Sequence, residues 1–207
     1  MMKNKKFYAA AGLVVLICAA AAGFYFSSLA YRLDRLAAGK DCRVGAAVVA
    51  GSRSFVHEEG KYPLLSVFKL FIAVRVLDEL ERENADPDKV ELTITRDMID
   101  ERTYSPMRDE RRTYPYGISV ARLLEYMVAE SDNNAADILL AYTGGTEQMQ
   151  AYLKRLGFGE IEVSANEKEM NADIAKQYVN RASPADVVRF LKTMREGDIL
   201  TCLLYTS

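Results

Sequence analysis

Ser66 and Lys69 are the only polar side chains in the eleven residues from Leu64 to Val74. Residues three apart share one face of a helix, so this spacing sets an amine beside a hydroxyl. Apolar neighbours disfavour the charged form of a lysine, which is one way an amine becomes a base. The run continues through Arg75, Leu77, Glu79 and Leu80 without Gly or Pro, and its pattern predicts a helix that is apolar at its start and amphipathic by its end. Ser66 then falls in the first turn, where N–H groups lack intrahelical partners and developing negative charge is favoured. A serine, a neighbouring base and an anion-friendly helix start are the parts of a covalent nucleophile. The plain structural alternative is a helix-start serine followed by a lysine that snorkels to water.

Two further polar clusters carry chemistry-bearing residues. Glu130-Ser131-Asp132-Asn133-Asn134 interrupts two helical patterns, and its small side chains compete for backbone hydrogen bonds, so it reads either as a capped turn or as a loop that points a hydroxyl and an amide into a cleft. Ile161 to Val179 has poor periodicity and crowds Glu167, Lys168, Glu169, Asn171 and Asp173 together. It reads as a long loop, a kind of segment that is often functional.

The elements that must position these residues follow in chain order. Lys3, Lys5 and Lys6 precede an apolar stretch from Phe7 to Phe26, the layout of an export signal, although about 20 apolar residues also suffice for a membrane anchor. Arg43 to Gly51 has the small and β-branched residues of a buried strand, and Ser54 to Glu58 returns across a turn, so a β-hairpin is expected. Val90 to Thr95 alternates like an edge strand, and Arg96 to Tyr116 is a charged, proline-containing excursion. Ser119 is placed to cap a helix to about Glu130, Asn134 to Tyr142 carries another, and Gly144-Gly145-Thr146 stops that one and starts a helix ending at Gly157. Ser183-Pro184, a cap followed by proline, opens a last helix through Arg195.

Composition bounds the function. The chain has 207 residues, 50% hydrophobic and 27% charged, enough for a substantial core and at most two lobes. A net charge of −2 and the lack of a dense basic stripe argue against a nucleic-acid partner. The single histidine, His57, lies beside no nucleophile in sequence, so neither a Ser-His-Asp triad nor a zinc site is expected. Cys18, Cys42 and Cys202 show no metal-type spacing, and no structural disulfide is expected.

S-x-x-K at Ser66 to Lys69 and S-D-N at Ser131 to Asn133 resemble two signatures of class A β-lactamases and penicillin-binding proteins. Glu167-Lys168-Glu169-Met170-Asn171, 36 residues after Ser131, resembles the E-x-x-L-N segment of the class A Ω-loop. The similarity extends from about Arg43 to Met194, includes Thr103-Tyr104-Ser105-Pro106, and looks closest to an extended-spectrum branch. It implies an α/β (α+β type) β-lactamase/transpeptidase-like fold, with a helical lobe and an antiparallel sheet. It implies hydrolysis of penicillins or cephalosporins through a serine acyl-enzyme, with Ser66 as nucleophile, Lys69 or Glu167 as acylation base and Ser131 as the relay to the leaving nitrogen. Asn133 would bind the substrate's acylamide, Asn171 would help Glu167 hold the hydrolytic water, Tyr104 would form a wall of the cleft, and Asp132 would support its loop. No metal and no cofactor are implied; the partner is a small β-lactam, and the full-length protein would be an exported, periplasmic monomer that meets the membrane only through an uncleaved leader.

Departures from the family pattern also shape the expectations. Where class A enzymes commonly close the Ω-loop neck with an Arg–Asp pair, this sequence has Ala165 and Asn180, so the loop must be tied differently, which could widen the cleft towards bulky cephalosporins. No K-T-G occurs. The expected division is therefore a leader or anchor over residues 1–28, a partial catalytic domain over 29–199 and a non-native tail over 200–207, with little activity for the 207-residue chain itself. The alternatives are a penicillin-binding D,D-peptidase, which lacks the deacylating glutamate, and a non-catalytic, membrane-anchored penicillin sensor.

Overall fold

The computed structural model describes residues 29–197 together with residues 16, 17, 20, 23, 24, 199 and 200. The leader expected over 1–28, with Cys18, and the tail expected over 200–207, with Cys202, lie almost wholly outside the described residues. Among the described residues no helix is long and apolar enough to cross a membrane. The chain divides into two compact units, Met1–Glu59 and Gly60–Ser207.

In the first unit a helix over residues 29–37 (α1) precedes an antiparallel hairpin of β1 (Ala46–Ala50) and β2 (Arg53–His57). Ala50 pairs with Arg53, so the connection is the two-residue turn Gly51-Ser52, and Gly51 takes the positive φ of +59° that such tight hairpins require. The strand expected to be buried is not. Val48, Val49 and Val56 are 48%, 38% and 40% exposed, because a two-stranded sheet gives each side chain few neighbours. His57 sets its Nε2 3.3 Å from Asp34 Oδ1 within this unit, a packing role rather than a catalytic one.

The second unit opens with β3 (Tyr62–Pro63), which pairs antiparallel with β6 (Arg181–Ala182). A 3₁₀ turn, Leu65–Val67, then leads into α2 (Phe68–Arg82). Ser66 therefore sits in a turn that feeds the helix rather than within its first α-helical turn. The apolar side of α2 is the spine of the core: Phe68, Phe71, Ile72, Val76 and Leu80 are fully buried. Against it pack α4 (Val120–Ala129), α5 (Asn133–Tyr142) and α6 (Gly145–Arg155). The predicted caps are present. Ser119 Oγ accepts from the Arg122 N–H at 3.2 Å, Ser183 Oγ accepts from the Asp186 N–H at 3.0 Å, and Gly144 caps α6 at φ 92°.

Two segments read as irregular contain structure. The excursion from Arg96 to Tyr116 holds a short helix, α3 (Pro106–Glu110), and runs into β5 (Tyr116–Ser119), the antiparallel partner of β4 (Glu91–Ile94). The loop expected over 161–179 contains α7 (Glu167–Ala172) and a 3₁₀ turn, Ile174–Tyr178. The start of α7 is a capping box: the Asn166 side chain accepts from the Glu169 N–H at 2.8 Å, and Glu169 Oε2 accepts from the Asn166 N–H at 3.0 Å. That signature was present in the sequence but was masked by the surrounding charge.

The last helix, α8 (Pro184–Arg195), is anchored by one ring. Phe190 is fully buried and meets Phe71 edge-on at 4.9 Å and Phe158 edge-on at 5.1 Å. Phe190→Ala should destabilise the protein by about 3–5 kcal/mol, through lost burial and the cavity left between α8 and α2. Urea unfolding checks this, and a loss below about 1 kcal/mol would mean that α8 is not held by the ring.

Candidate active site

Two non-glycine residues at the site adopt left-handed backbone: Leu65, next to the predicted nucleophile, at φ 44° and Ser131, the predicted relay, at φ 57°. Such conformations cost roughly 1–3 kcal/mol each and persist only where surrounding contacts over-determine them. For Ser131 the contacts are visible. Asp132, fully buried, caps α5 by accepting from the Ala135 N–H at 2.9 Å, accepts the Ser105 hydroxyl at 2.9 Å and accepts the Met107 N–H at 2.8 Å. Its own N–H donates to the Tyr126 carbonyl at 3.0 Å. The role expected for Asp132, loop support rather than substrate contact, matches this arrangement.

The strained turn delivers Ser131 to Lys69. The Lys69 side chain is 4% exposed, and its Nζ donates to the Ser131 carbonyl at 2.8 Å and to Asn133 Oδ1 at 2.6 Å, and pairs with Glu167 Oε1 at 2.9 Å. Longer contacts reach Ser131 Oγ at 3.2 Å and Ser66 Oγ at 3.4 Å. The Ser131 hydroxyl donates to Ser66 Oγ at 3.1 Å. An ammonium has three hydrogens, and the three short contacts are all to acceptors, so the resting arrangement suits Lys69⁺ facing Glu167⁻.

Glu167 is held at the start of α7 by the Asp137 carboxylate. Asp137, one turn into α5, accepts the Glu167 N–H at 2.7 Å and the Lys168 N–H at 2.9 Å. Burial pushes the Asp137 carboxyl up to about 6; the two N–H donors oppose that rise, the Glu167 charge adds to it and Lys69 opposes it. The neck of this segment is tied by a buried amide. Asn180 Oδ1 accepts from the Ser164 and Ala165 N–H groups at 2.8 and 3.0 Å, while its Nδ2 donates to the Ala165 carbonyl at 2.8 Å. The different tie expected from Ala165 and Asn180 is thus a neutral, three-bond side-chain clamp.

Ser66, Asn133, Glu167 and Asn171 line one open cleft of about 190 Å³ with Leu65, Met170 and Gln177, and Lys69 and Ser131 touch its members from behind. Six of the seven candidate residues are therefore brought together. Tyr104 is the exception. The residue is 62% exposed and is not among the cleft's lining residues, while its backbone carbonyl accepts the Asn133 N–H at 3.1 Å. Thr103, Asp137 and Gln177 were not predicted. Among the described residues no group of three or more His, Cys, Asp or Glu side chains is arranged to hold a metal. A hydroxyl hydrogen-bonded to a second hydroxyl, both beside a lysine–glutamate pair in an open cleft, is equipped for nucleophilic attack and proton relay.

Comparison with known proteins places the chain among beta-lactamases. The model of the Beta-lactamase enzyme family matches residues 28–202. A beta-lactamase of Bacteroides uniformis is 33% identical over 177 residues, 84% of this chain and 60% of that protein. VEB-1 of Pseudomonas aeruginosa is 32% identical over 170 residues, 79% of this chain and 55% of that protein. The crystal structure of the TLA-1 extended-spectrum beta-lactamase superposes with a TM-score of 0.80 at 31% identity, covering 84% of this chain and 64% of that one. A class A beta-lactamase from Bacteroides cellulosilyticus DSM 14838 gives 0.77 at 32% identity, with 82% and 61% covered. The chain spans less than two thirds of the length of each of these relatives.

Asp137 carries a pH signature. A carboxyl whose folded pKa, about 6, lies above its ordinary value of 3.8 contributes stability that is full below the ordinary value and lost as pH rises through the folded one. Relative to Asp137→Asn, which does not titrate, the wild-type protein should lose about 2–3 kcal/mol of stability between pH about 4 and about 7. Chemical denaturation of both proteins at intervals across that range measures the difference. A flat difference would mean that the carboxyl is not strained by burial.

Proposed function

The chain belongs to the beta-lactamase enzyme family, and from that membership we propose that the full-length protein opens the β-lactam ring of penicillins and cephalosporins through an acyl-enzyme on Ser66, and so confers resistance to them. The observation that carries the proposal is the position of Lys69 Nζ, within 3.4 Å of Ser66 Oγ, Ser131 Oγ, Asn133 Oδ1 and Glu167 Oε1 at once. A penicillin-binding peptidase would share the first three. The glutamate favours hydrolysis.

In acylation the Ser66 oxygen attacks the lactam carbonyl carbon, and its proton must leave. Lys69, as an ammonium, can take that proton only after passing one of its own to Glu167, 2.9 Å away. The alternative route runs through water directly to Glu167, so both routes load the same carboxylate. The Ser131 hydroxyl protonates the leaving lactam nitrogen as the C–N bond breaks, and is refilled from Lys69 at 3.2 Å. Glu167 then returns its proton to Lys69. In deacylation the freed carboxylate takes a proton from an attacking water, and the proton ends on the Ser66 oxygen as it leaves. Asn133 and Asn171 line the cleft where the substrate's acylamide and the hydrolytic water are placed in this scheme.

Two further parts of the reading concern range and place. The Asn180 clamp joins Ser164, Ala165 and Asn180 without a charged pair, which supports a cleft tolerant of bulky cephalosporins, as the extended-spectrum relatives TLA-1 and PER-1 suggest. The basic and apolar start of the sequence, Lys3 to Phe26, supports export to the periplasm.

In the full-length gene product, Ser66→Ala should abolish covalent labelling by a fluorescent penicillin. Labelling that survives would move the nucleophile elsewhere, with Ser131 next in line. Glu167→Gln should still acylate but turn over about 10²–10⁴-fold more slowly, leaving a penicilloyl adduct visible by mass spectrometry. Turnover near wild type would displace Glu167 from the role of base.

A further inference from the structure

We infer that the cavity lined by α2 and α6 binds a small zwitterion of amino-acid size, its carboxylate towards Arg75, Tyr152 and Arg155 and its ammonium towards Glu79 and Glu83. The cavity shares no lining residue with the cleft at Ser66, and the inference does not depend on the hydrolase reading. It measures about 300 Å³, against about 190 Å³ for that cleft. Ligand pockets run from roughly 300 to 1,000 Å³, so a solute no larger than an amino acid suits it.

Two donors on the lining residues lack an acceptor. Arg75 is fixed by its two Nη groups, which donate to the Gln148 and Thr143 carbonyls. A guanidinium is planar, so those bonds also set the direction of its Nε–H, which is buried and has no partner. The Tyr152 hydroxyl is buried without a partner as well. Burial, joined by the Asp78 charge, holds the Tyr152 phenol above its ordinary pKa, so at neutral pH it stays an O–H donor. Buried donors are nearly always paired, and two on the wall of one cavity point to an acceptor that the cavity takes up.

The charges of the lining balance as a set and are unmatched locally. Three arginines meet three carboxylates. Arg82 answers Asp78 at 2.8 Å, whereas Glu79 lies 4.0 Å from Arg75, the outer limit of an ion pair. Arg155 and Glu83 have no ion-pair partner among the described residues. Arg155 lies instead over the Tyr152 ring, 5.2 Å from its centroid, and Arg75 lies over the same ring at 5.5 Å. Burial lowers the Arg75 pKa; Glu79 opposes that fall and the Arg155 charge adds to it. Two guanidiniums on one ring repel each other, and a carboxylate beside them is attracted by both. The carboxylates of the same lining disfavour a dianion such as phosphate, and a ligand of zero net charge with one group of each sign complements the whole set.

Three solutes of one chain length separate the two ends of the site: 4-aminobutyrate, which carries both charges, butyrate and butylammonium. In ligand-observed NMR titrations of the full-length protein, 4-aminobutyrate should saturate with a Kd of about 1–10 mM, and butyrate, butylammonium and inorganic phosphate should each bind at least about fivefold more weakly. Arg155→Gln and Glu83→Gln should each weaken 4-aminobutyrate about 5–10-fold, while Glu83→Gln leaves butyrate unchanged or tighter. Both side chains are exposed, so neither substitution threatens the fold. Tyr152→Phe, which keeps the ring and removes the donor, should weaken 4-aminobutyrate about 3–10-fold. Phosphate binding more tightly than 4-aminobutyrate would make this an anion site, and the lack of saturable 4-aminobutyrate binding up to about 100 mM would make it a cavity for water alone. Binding insensitive to Arg155→Gln and Glu83→Gln would place the solute elsewhere. Each of these three results overturns the inference and leaves the hydrolase reading, tested at Ser66 and Glu167, untouched.

Discussion

An ammonium that is 4% exposed must find acceptors, and most of the site can be derived from that requirement. Removing such a charge from water costs several kcal/mol even after relaxation, and breaking one of its pairs leaves that cost uncompensated. Lys69 meets the requirement with oxygens from two places far along the chain. The α5 turn supplies the Ser131 carbonyl and Asn133 Oδ1, and the start of α7 supplies Glu167. Each partner is in turn acidic or polar and only partly hydrated, so none is comfortable without the lysine. The same contacts that make burial tolerable also align the groups that can pass a proton.

The strain at Ser131 follows from this. A carbonyl and a hydroxyl of one residue both face Lys69, at 2.8 and 3.2 Å, and a left-handed φ at that residue accompanies the arrangement. Asp132 offsets the cost by gathering three donors from two segments, the Ala135 N–H of α5 and, from the start of α3, the Met107 N–H and the Ser105 hydroxyl. Three donors to one buried carboxylate, the Ser105 hydroxyl lying 2.9 Å from both of its oxygens, offset a penalty of roughly 1–3 kcal/mol. The loop is rigid because a buried charge holds it.

What could be read from the sequence divides along the range of the interactions involved. Helices with their own caps and apolar stripes were legible: α4, α6 and α8 begin at or within a residue of where Ser119, Gly144 and Ser183 place them. Of the strands of two to four residues only β4 was legible, from the alternation of Val90 to Thr95; β3, β5 and β6 were not, because they are defined by pairing across as many as 120 residues and carry too little alternation of their own. The site residues split in the same way. Ser66 beside Lys69 is a local fact of helical spacing. That Ser131, Asn133 and Glu167 converge on the same amine came from the resemblance, since separations of 62 to 98 residues encode no geometry of their own. Thr103 and Asp137 were missed for a further reason: they act on an amide group and on backbone N–H groups, and no residue type signals such partners in advance.

Asn180 shows how the two halves of the chemistry are coupled. Its side chain closes the neck of the α7 segment at Ser164 and Ala165, and its backbone carbonyl accepts the Leu64 N–H at 2.8 Å, two residues before the nucleophile. The next residue, Arg181, begins the short pairing with β3. One buried residue therefore positions both the approach to Ser66 and the frame around Glu167. An ion pair at the neck would have to recover the desolvation of two charges, whereas an amide satisfied on both its oxygen and its nitrogen carries no such debt. The neutral clamp cannot be screened by salt or discharged by pH, so the neck holds independently of both, and the charged link between the nucleophile and the glutamate is left to Lys69. Asp137 acts elsewhere on this frame, since its two bonds run to the backbone at the start of α7 rather than across its neck.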